Sequence, residues 1–267
     1  MVTEEPTSDG RTIADAQELS DAEARRLLRL WDEQQAAYVA YRENRFEVML
    51  DVVRARLGDG FRVLDLACGP GAISERVLST FSEATAVAVD YDPVLLRIAR
   101  GVLGAYGDRA RVCDLDLVAP GWGGVVGPVD AVLSSTALHW LSPGELLEVY
   151  RAAAELLPAG GVLLNADHLR FDDSSPALRD LSARHDALTQ AAAFAGGARD
   201  YAAWYAEAAR HPEIAGLVPE RERRFADRPP QPLAPLEFHL AALRAAGFAE
   251  VGTVWQYLDD YVVFARR

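Results

Sequence analysis

The chain has 267 residues, half of them hydrophobic and a quarter charged, which suits one large α/β domain or two small ones and argues against wholesale disorder. A net charge of −13 lacks the basic footprint that phosphate backbones demand, so no nucleic-acid partner is expected. All 27 basic residues are arginine, which excludes lysine Schiff-base and P-loop lysine chemistry.

The opening stretch MVTEEPTSDG is acidic and polar, and residues 1 to about 18 read as loosely tethered. It lacks the basic start and apolar middle of a signal peptide, and no run of about 18 apolar residues that could span a membrane occurs anywhere. Ser20-Asp21-Ala22-Glu23 is a capping box, and Leu27, Leu28, Leu30 and Trp31 follow at helical spacing. The helical pattern resumes through Tyr38, Tyr41 and Phe46 to Val53, with room for a break.

From residue 61 strands and helices alternate. FRVLDLA is a strand with little alternation, as expected when both faces are covered, and AISERVLSTF is a helix. ATAVAVD is a second strand ending at Asp90, and the next helix has Pro93 near its start and Gly107 near its end. ARVCDLDL, VDAVLSSTAL and GGVLLNAD supply three more strands, with a helix capped by Ser142 and Glu145 before the last of them. This pattern predicts right-handed crossovers and a doubly wound, Rossmann-like sheet. An insertion, 168–234, carries a helix from about Pro176 to Phe194 with Ser175 placed to cap it, and a second from about Asp200 to Arg210. After a last helix, EVGTVWQY and YVVFARR are joined by only Leu258-Asp259-Asp260, a link that permits only an antiparallel pair. The expected organisation is a helical segment 1–60, a core of 61–167 and 235–267, and a helical cap 168–234. Cys68 and Cys113 lie in apolar runs and fit no metal spacing, so a reducing, cytoplasmic setting and no metal are expected.

Ligands of such a sheet bind at the carboxyl ends of the strands, and Gly69-Pro70-Gly71 forms the first turn there. Asp90 would serve either a dinucleotide or another ribose-bearing ligand. Two features separate these. Ser74 stands where the dinucleotide fingerprint has its third glycine, and Asp65 inside the strand would repel a pyrophosphate but suits a cationic ligand.

These residues resemble the motifs of the class I S-adenosylmethionine-dependent methyltransferases. VLDLACGPG resembles their first motif, with Ala67 in place of its first glycine. VAVDYDP, VCDLDL, DAVLSSTALHWL and LLPAGGVLLNAD resemble the later ones in order. The resemblance implies a seven-stranded sheet, mostly parallel with a C-terminal antiparallel strand, and S-adenosyl-L-methionine as cofactor. It implies that Asp65 organises the turn or meets the ammonium, that the backbone at Ala67, Gly69 and Gly71 holds the amino-acid portion, and that Asp90 takes both ribose hydroxyls. Tyr91 or Asp92, with Leu115, would line the adenine, Asp114 would meet its amine, Ser135 would touch the cofactor by its backbone, and Arg45 on the N-terminal helices would meet its carboxylate.

His139 and His168, after the fourth and fifth strands, are the candidates for general base or acceptor-orienting donor. His185, His211 and His239 read as structural. Phe194, Tyr201, Trp204 and Tyr205 are candidates for an acceptor wall, and Arg221, Arg223, Arg224 and Arg228 read as a solvated surface. ALHWL and the large cap resemble methyltransferases of small carboxylates and secondary metabolites, including the trans-aconitate type. The expectation is methyl transfer to a small-molecule acceptor, with oxygen favoured over nitrogen or carbon, by a monomer or homodimer. The alternatives are a non-methylating enzyme on the same fold, cyclase or decarboxylase-like, and a nicotinamide dehydrogenase.

Overall fold

A computed structural model describes residues 18–227, 230–232 and 234–267. The expected loose tether lies outside the described residues, apart from its last residue. Two helices, α1 (Asp21–Tyr38) and α2 (Arg42–Leu57), come first. The Ser20 hydroxyl accepts from the Glu23 amide, as the capping pattern predicts, while the Glu23 carboxylate turns to Arg26. The break falls at Tyr41, whose φ of 53° is left-handed, so Tyr38 and Arg45 belong to separate helices.

The strands are β1 (Arg62–Leu66), β2 (Thr85–Asp90), β3 (Ala110–Asp114), β4 (Ala131–Ser135), β5 (Val162–His168), β6 (Glu250–Tyr257) and β7 (Asp260–Arg266). Their order is β3-β2-β1-β4-β5-β7-β6, and β7 runs antiparallel to both its neighbours. Successive residues of β1 feed opposite layers: Val63 joins one buried cluster, Leu64 and Leu66 the other. Two-sided burial explains why these strands read as continuous apolar runs.

The crossovers are α3 (Ala72–Thr80), α4 (Pro93–Leu103), the short α5 (Trp122–Val126) and α6 (Pro143–Leu156). Asp92 caps α4 through the Val94 and Leu95 amides, and the Ser142–Glu145 capping box on α6 is complete. In the insertion α7 (Pro176–Ala195) and α8 (Tyr201–Ala208) match the expected helices, although the Ser175 side chain makes no cap hydrogen bond. A third helix, α9 (Pro212–Phe225), occupies ground read from sequence as a basic surface run. The last helix is α10 (Leu236–Ala245).

The insertion is sewn into the main core rather than resting on it. Trp204, Ala208 and Ile214 are fully buried in the same cluster as Leu27 of α1 and Val94 of α4. The Trp204 indole N–H donates to the Leu27 carbonyl at 3.3 Å, and Trp31 packs edge-on against it at 4.8 Å.

Candidate functional site

The strand order reverses between β1 and β4, and a cavity of about 950 Å³ opens at their carboxyl ends. The turn after β1 forms its floor. Gly71 has φ of 90°, and a Cβ there would lie 3.3 Å from Leu103, so the turn needs glycine on both counts. Ala67 has φ of 54°, a left-handed conformation that explains why the related motif carries glycine at this place.

Asp65 is 1% exposed and lines the cavity. Its Oδ2 accepts from the Ser74 amide at 3.0 Å and the Ser74 hydroxyl at 2.7 Å, so the serine that departs from the dinucleotide fingerprint is what orients the acid. Its Oδ1 is buried without a partner among the described residues. Burial pushes the carboxyl up to about 7, against the two Ser74 hydrogen bonds.

Asp90 also lines the cavity, and its carboxylate accepts the amides of Gly69 at 2.8 Å, Tyr91 at 2.7 Å and Asp92 at 2.8 Å. A carboxylate has about four acceptor sites, so little capacity remains for two ribose hydroxyls as expected. Burial raises its pKa despite those three bonds. Ala67, Gly69, Tyr91, Leu115 and Ser135 all reach the cavity wall, as the sequence predicts.

Gly71, Asp114 and Arg45 do not. Asp114 is engaged by Arg224 of α9 through two bonds, 2.7 and 2.9 Å, and Arg224 also donates to the Tyr91 carbonyl at 2.8 Å. Arg45 is 1% exposed beneath β7, 3.7 Å from Asp260, because its helical phase turns it to the sheet. The arginine of that helix that lines the cavity is Arg42, one turn earlier. Opposite the strands the wall is aromatic: Trp31 from α1, Phe46 from α2, Tyr201 and Tyr205 from α8. Of the expected acceptor wall, Trp204 is buried beneath it, and Phe194 packs on Tyr38 away from it. Arg221 donates to Asp92 at 2.6 Å and lies 3.9 Å over the Tyr205 ring, so Arg221 and Arg224 are bridges, whereas Arg223 is exposed as expected; Arg228 lies outside the described residues.

The two candidate catalytic histidines come together, their ring centres 6.0 Å apart, but neither ring belongs to the cavity wall; Leu138 and Trp140, either side of His139, do. His168 ends β5 rather than following it. His139 Nδ1 lies 2.5 Å from Asp167, whose carboxylate also accepts the His139 and His168 amides. Burial alone would raise the Asp167 carboxyl, but the His139 charge and hydrogen bond, with His168 and His239 nearby, hold it down at about 2. His168 Nδ1 pairs with Asp260 across the antiparallel register. His239 bonds the Tyr150 hydroxyl at 2.8 Å and burial pushes it down to about 4, a structural role. Asp167, Asp260 and Arg42 escaped sequence reasoning, as did the bridging role of Arg224. Only Asp167 left a local signal, an acid ending the strand that faces the HW loop.

The donor set fits S-adenosylmethionine. Six acids against four arginines line the cavity, which suits a cationic ligand, and the strained glycine turn brings free backbone close to it. Residues 63–161 match the family described as a methyltransferase domain. A trans-aconitate 2-methyltransferase of Azoarcus sp. (strain BH72) is 30% identical over 176 residues, 66% of this chain and 65% of that protein. One of Mycobacterium ulcerans is 32% identical over 49% of this chain and 45% of that protein, so the chain spans less than two thirds of these curated relatives. Among solved structures, human N-acetylserotonin methyltransferase with S-adenosylmethionine shares the fold at a TM-score of 0.55 and 15% identity, over 95% of this chain and 60% of that one. An O-methyltransferase family 2 protein of Planctomyces limnophilus with apigenin does so at 0.55 and 19%, over 95% and 63%. With glycine turn, acids and strand order all in place, residues 63–161 form a methyltransferase domain.

Proposed function

We propose that this protein transfers a methyl group from S-adenosylmethionine to an oxygen of a small-molecule acceptor, a hydroxyl in the first instance. The observation that carries the hydroxyl reading is the His139–Asp167 pair at 2.5 Å, at the carboxyl ends of β4 and β5. A hydroxyl must lose its proton to attack. Asp167, ionised and buried, fixes the Nδ1 proton of His139 and leaves Nε2 to take the hydroxyl's; the ring lies behind the wall residues Leu138 and Trp140, and the acceptor reaches it between them. The bound cofactor supplies an electrophilic methyl on a sulfonium, with a neutral sulfide as leaving group. The chain's part is otherwise alignment: Asp65 and the turn at Ala67–Gly69 hold one end, Asp90, Tyr91 and Leu115 the other. Trp31, Phe46 and Tyr201 exclude water and wall the acceptor. A cavity of about 950 Å³ has room for the cofactor and a small-molecule acceptor beside it, which supports a small molecule as the partner. We place the acceptor in secondary metabolism and the protein in the cytoplasm, as monomer or homodimer.

A second reading, methylation of a carboxylate oxygen, is favoured by the trans-aconitate 2-methyltransferase relatives and needs no base. Incubation with methyl-labelled cofactor, trans-aconitate and a set of phenolic acceptors including apigenin separates the two. Label in a phenolic product, lost about 10²-fold or more in His139→Asn, supports the hydroxyl reading. Label in trans-aconitate, unaffected by that substitution, supports the second. Converted acceptor with intact cofactor would sink both.

A further inference from the structure

Opposite the strands, Gln35 is a polar group set in an aromatic wall. It lies one turn past Trp31 on α1 and lines the cavity while only 2% exposed. Trp31 stands over the glycine turn, since a Cβ on Gly69 would come 3.9 Å from its ring. Four residues at 1.5 Å each set Gln35 about 6 Å further along the helix axis. Its Nε2 uses both protons, one on Gln34 Oε1 at 2.9 Å and one on the Tyr201 hydroxyl at 2.7 Å. Its Oε1 accepts from no described residue yet keeps open surface, whereas Gln34 Nε2 beside it is sealed without a partner. The Tyr201 hydroxyl accepts from Gln35, and its own proton meets no described acceptor. Both residues line the cavity, so the pair offers it one acceptor and one donor. Turning over both amides exchanges the roles, with Nε2 donating and the Tyr201 oxygen accepting, and the offer stays the same.

A hydroxyl or a primary amide satisfies both groups at once, whereas a carboxylate only accepts. Arg42, on the same wall, shares Asp32 and Glu43 with Arg76, two charges against two, so no net charge draws an anion here. Around the pair the wall is ring. Trp31 meets Tyr201 edge-on at 5.8 Å, Tyr38 packs on Tyr201 at 5.2 Å, and Phe46 continues the lining. Such a surface takes flat aromatic ligands. Docking of the insertion does not depend on the pair, because Trp204 already fastens α8 to α1.

We propose that Gln35 and Tyr201 are the specificity pair of this cavity: they hold a second hydroxyl or amide, the one that keeps its proton, of a flat aromatic acceptor lying among Trp31, Phe46 and Tyr201. The proposal rests on the methyltransferase reading with a hydroxyl as target. One polar group of the acceptor is then methylated at the ends of β4 and β5 while the other is fixed between α1 and α8.

The test uses 2-naphthol, 2-naphthamide and 2-naphthoate, one ring system with three polar groups, titrated by NMR with and without saturating S-adenosylhomocysteine. The two neutral probes should bind about tenfold tighter than the anion, which cannot complete both hydrogen bonds. Tyr201→Phe and Gln35→Met should each bring that ratio to within about threefold while S-adenosylhomocysteine affinity holds, which shows that the fold survives. A wall that selects by polarity alone would favour the neutral probes still more once made more apolar, and a merely structural pair would leave the ratio where it was. The proposal is overturned if the wild type shows no preference for the neutral probes, if it binds none of the three, or if the ratio survives either substitution. A protein that never binds S-adenosylhomocysteine sinks the methyltransferase reading, and the ratio measured without it still decides the pair.

Discussion

Asp65 meets the cavity with one oxygen satisfied by Ser74 and the other bare, and burial lifts its carboxyl to about 7. A raised acid favours the folded state only while protonated. Its contribution to stability therefore falls as pH rises from the ordinary carboxylate range through about 7, and Asp65→Asn should flatten that slope in urea titrations. A cationic ligand beside it favours the carboxylate instead. Binding of S-adenosylhomocysteine, whose amine is cationic, should release a fraction of a proton near neutral pH, read by calorimetry in buffers of different ionisation enthalpy; no proton release would show that Asp65 does not face the ammonium. Asp167 runs the other way. Held at about 2, it supports the fold above the ordinary carboxylate range and loses that support as pH falls toward 2. Asp167→Asn should lower stability at neutral pH and shrink the acid limb between about pH 4 and 2, measured by denaturant midpoints; an unchanged limb would mean that His139 does not hold the carboxylate. Residues of the glycine turn were legible in sequence because their partners are local: Ser74 lies nine positions from Asp65. Arg45 and Asp114 were not, because what occupies them, Asp260 and Arg224, comes from elements more than a hundred residues away.

At the scale of elements, α9 is the part the sequence concealed. Pro219 lies inside it, where a proline removes an amide and crowds the preceding turn, and its charged run has few apolar positions. Long-range bridges override that weak propensity: Arg221 to Asp92, Arg224 to Asp114 and to the Tyr91 carbonyl. These tie the helix to the acids flanking β2 and β3, on the side expected to receive the adenosine. Arg221→Gln with Arg224→Gln should raise the dissociation rate of S-adenosylhomocysteine several-fold in stopped-flow tryptophan fluorescence. The Arg224–Asp114 pair is partly solvated, with Asp114 39% exposed, so losing it should change stability by only about 0–1 kcal/mol. An unchanged dissociation rate would make α9 a bystander to ligand exchange. The strands and the crossover helices α3, α4 and α6 were readable because a parallel strand must be apolar on both faces and a helix start must be capped. The short α5, with two glycines among its five residues, carries neither signal.

For the whole molecule, the three-part division drawn from sequence meets a shared core. Trp204 of the insertion is fully buried against α1, so the insertion and the sheet should unfold together. Far-ultraviolet dichroism and tryptophan fluorescence are expected to trace one coincident urea transition, and Trp204→Ala should lower stability by about 3–5 kcal/mol while keeping a single transition. Two separated transitions would restore the cap as an independent unit. The strand order carries a further consequence for biosynthesis. β7, residues Asp260–Arg266, slots between β5 and β6, although β5 emerges from the ribosome some ninety residues sooner. At about 5–20 residues per second, the nascent sheet waits several seconds or more with the backbone of β5, Val162–His168, unpaired along one edge. Asp260, which secures His168, arrives with that same last strand, so a stalled or prematurely terminated chain presents a sticky strand and an unanchored histidine to the quality-control machinery.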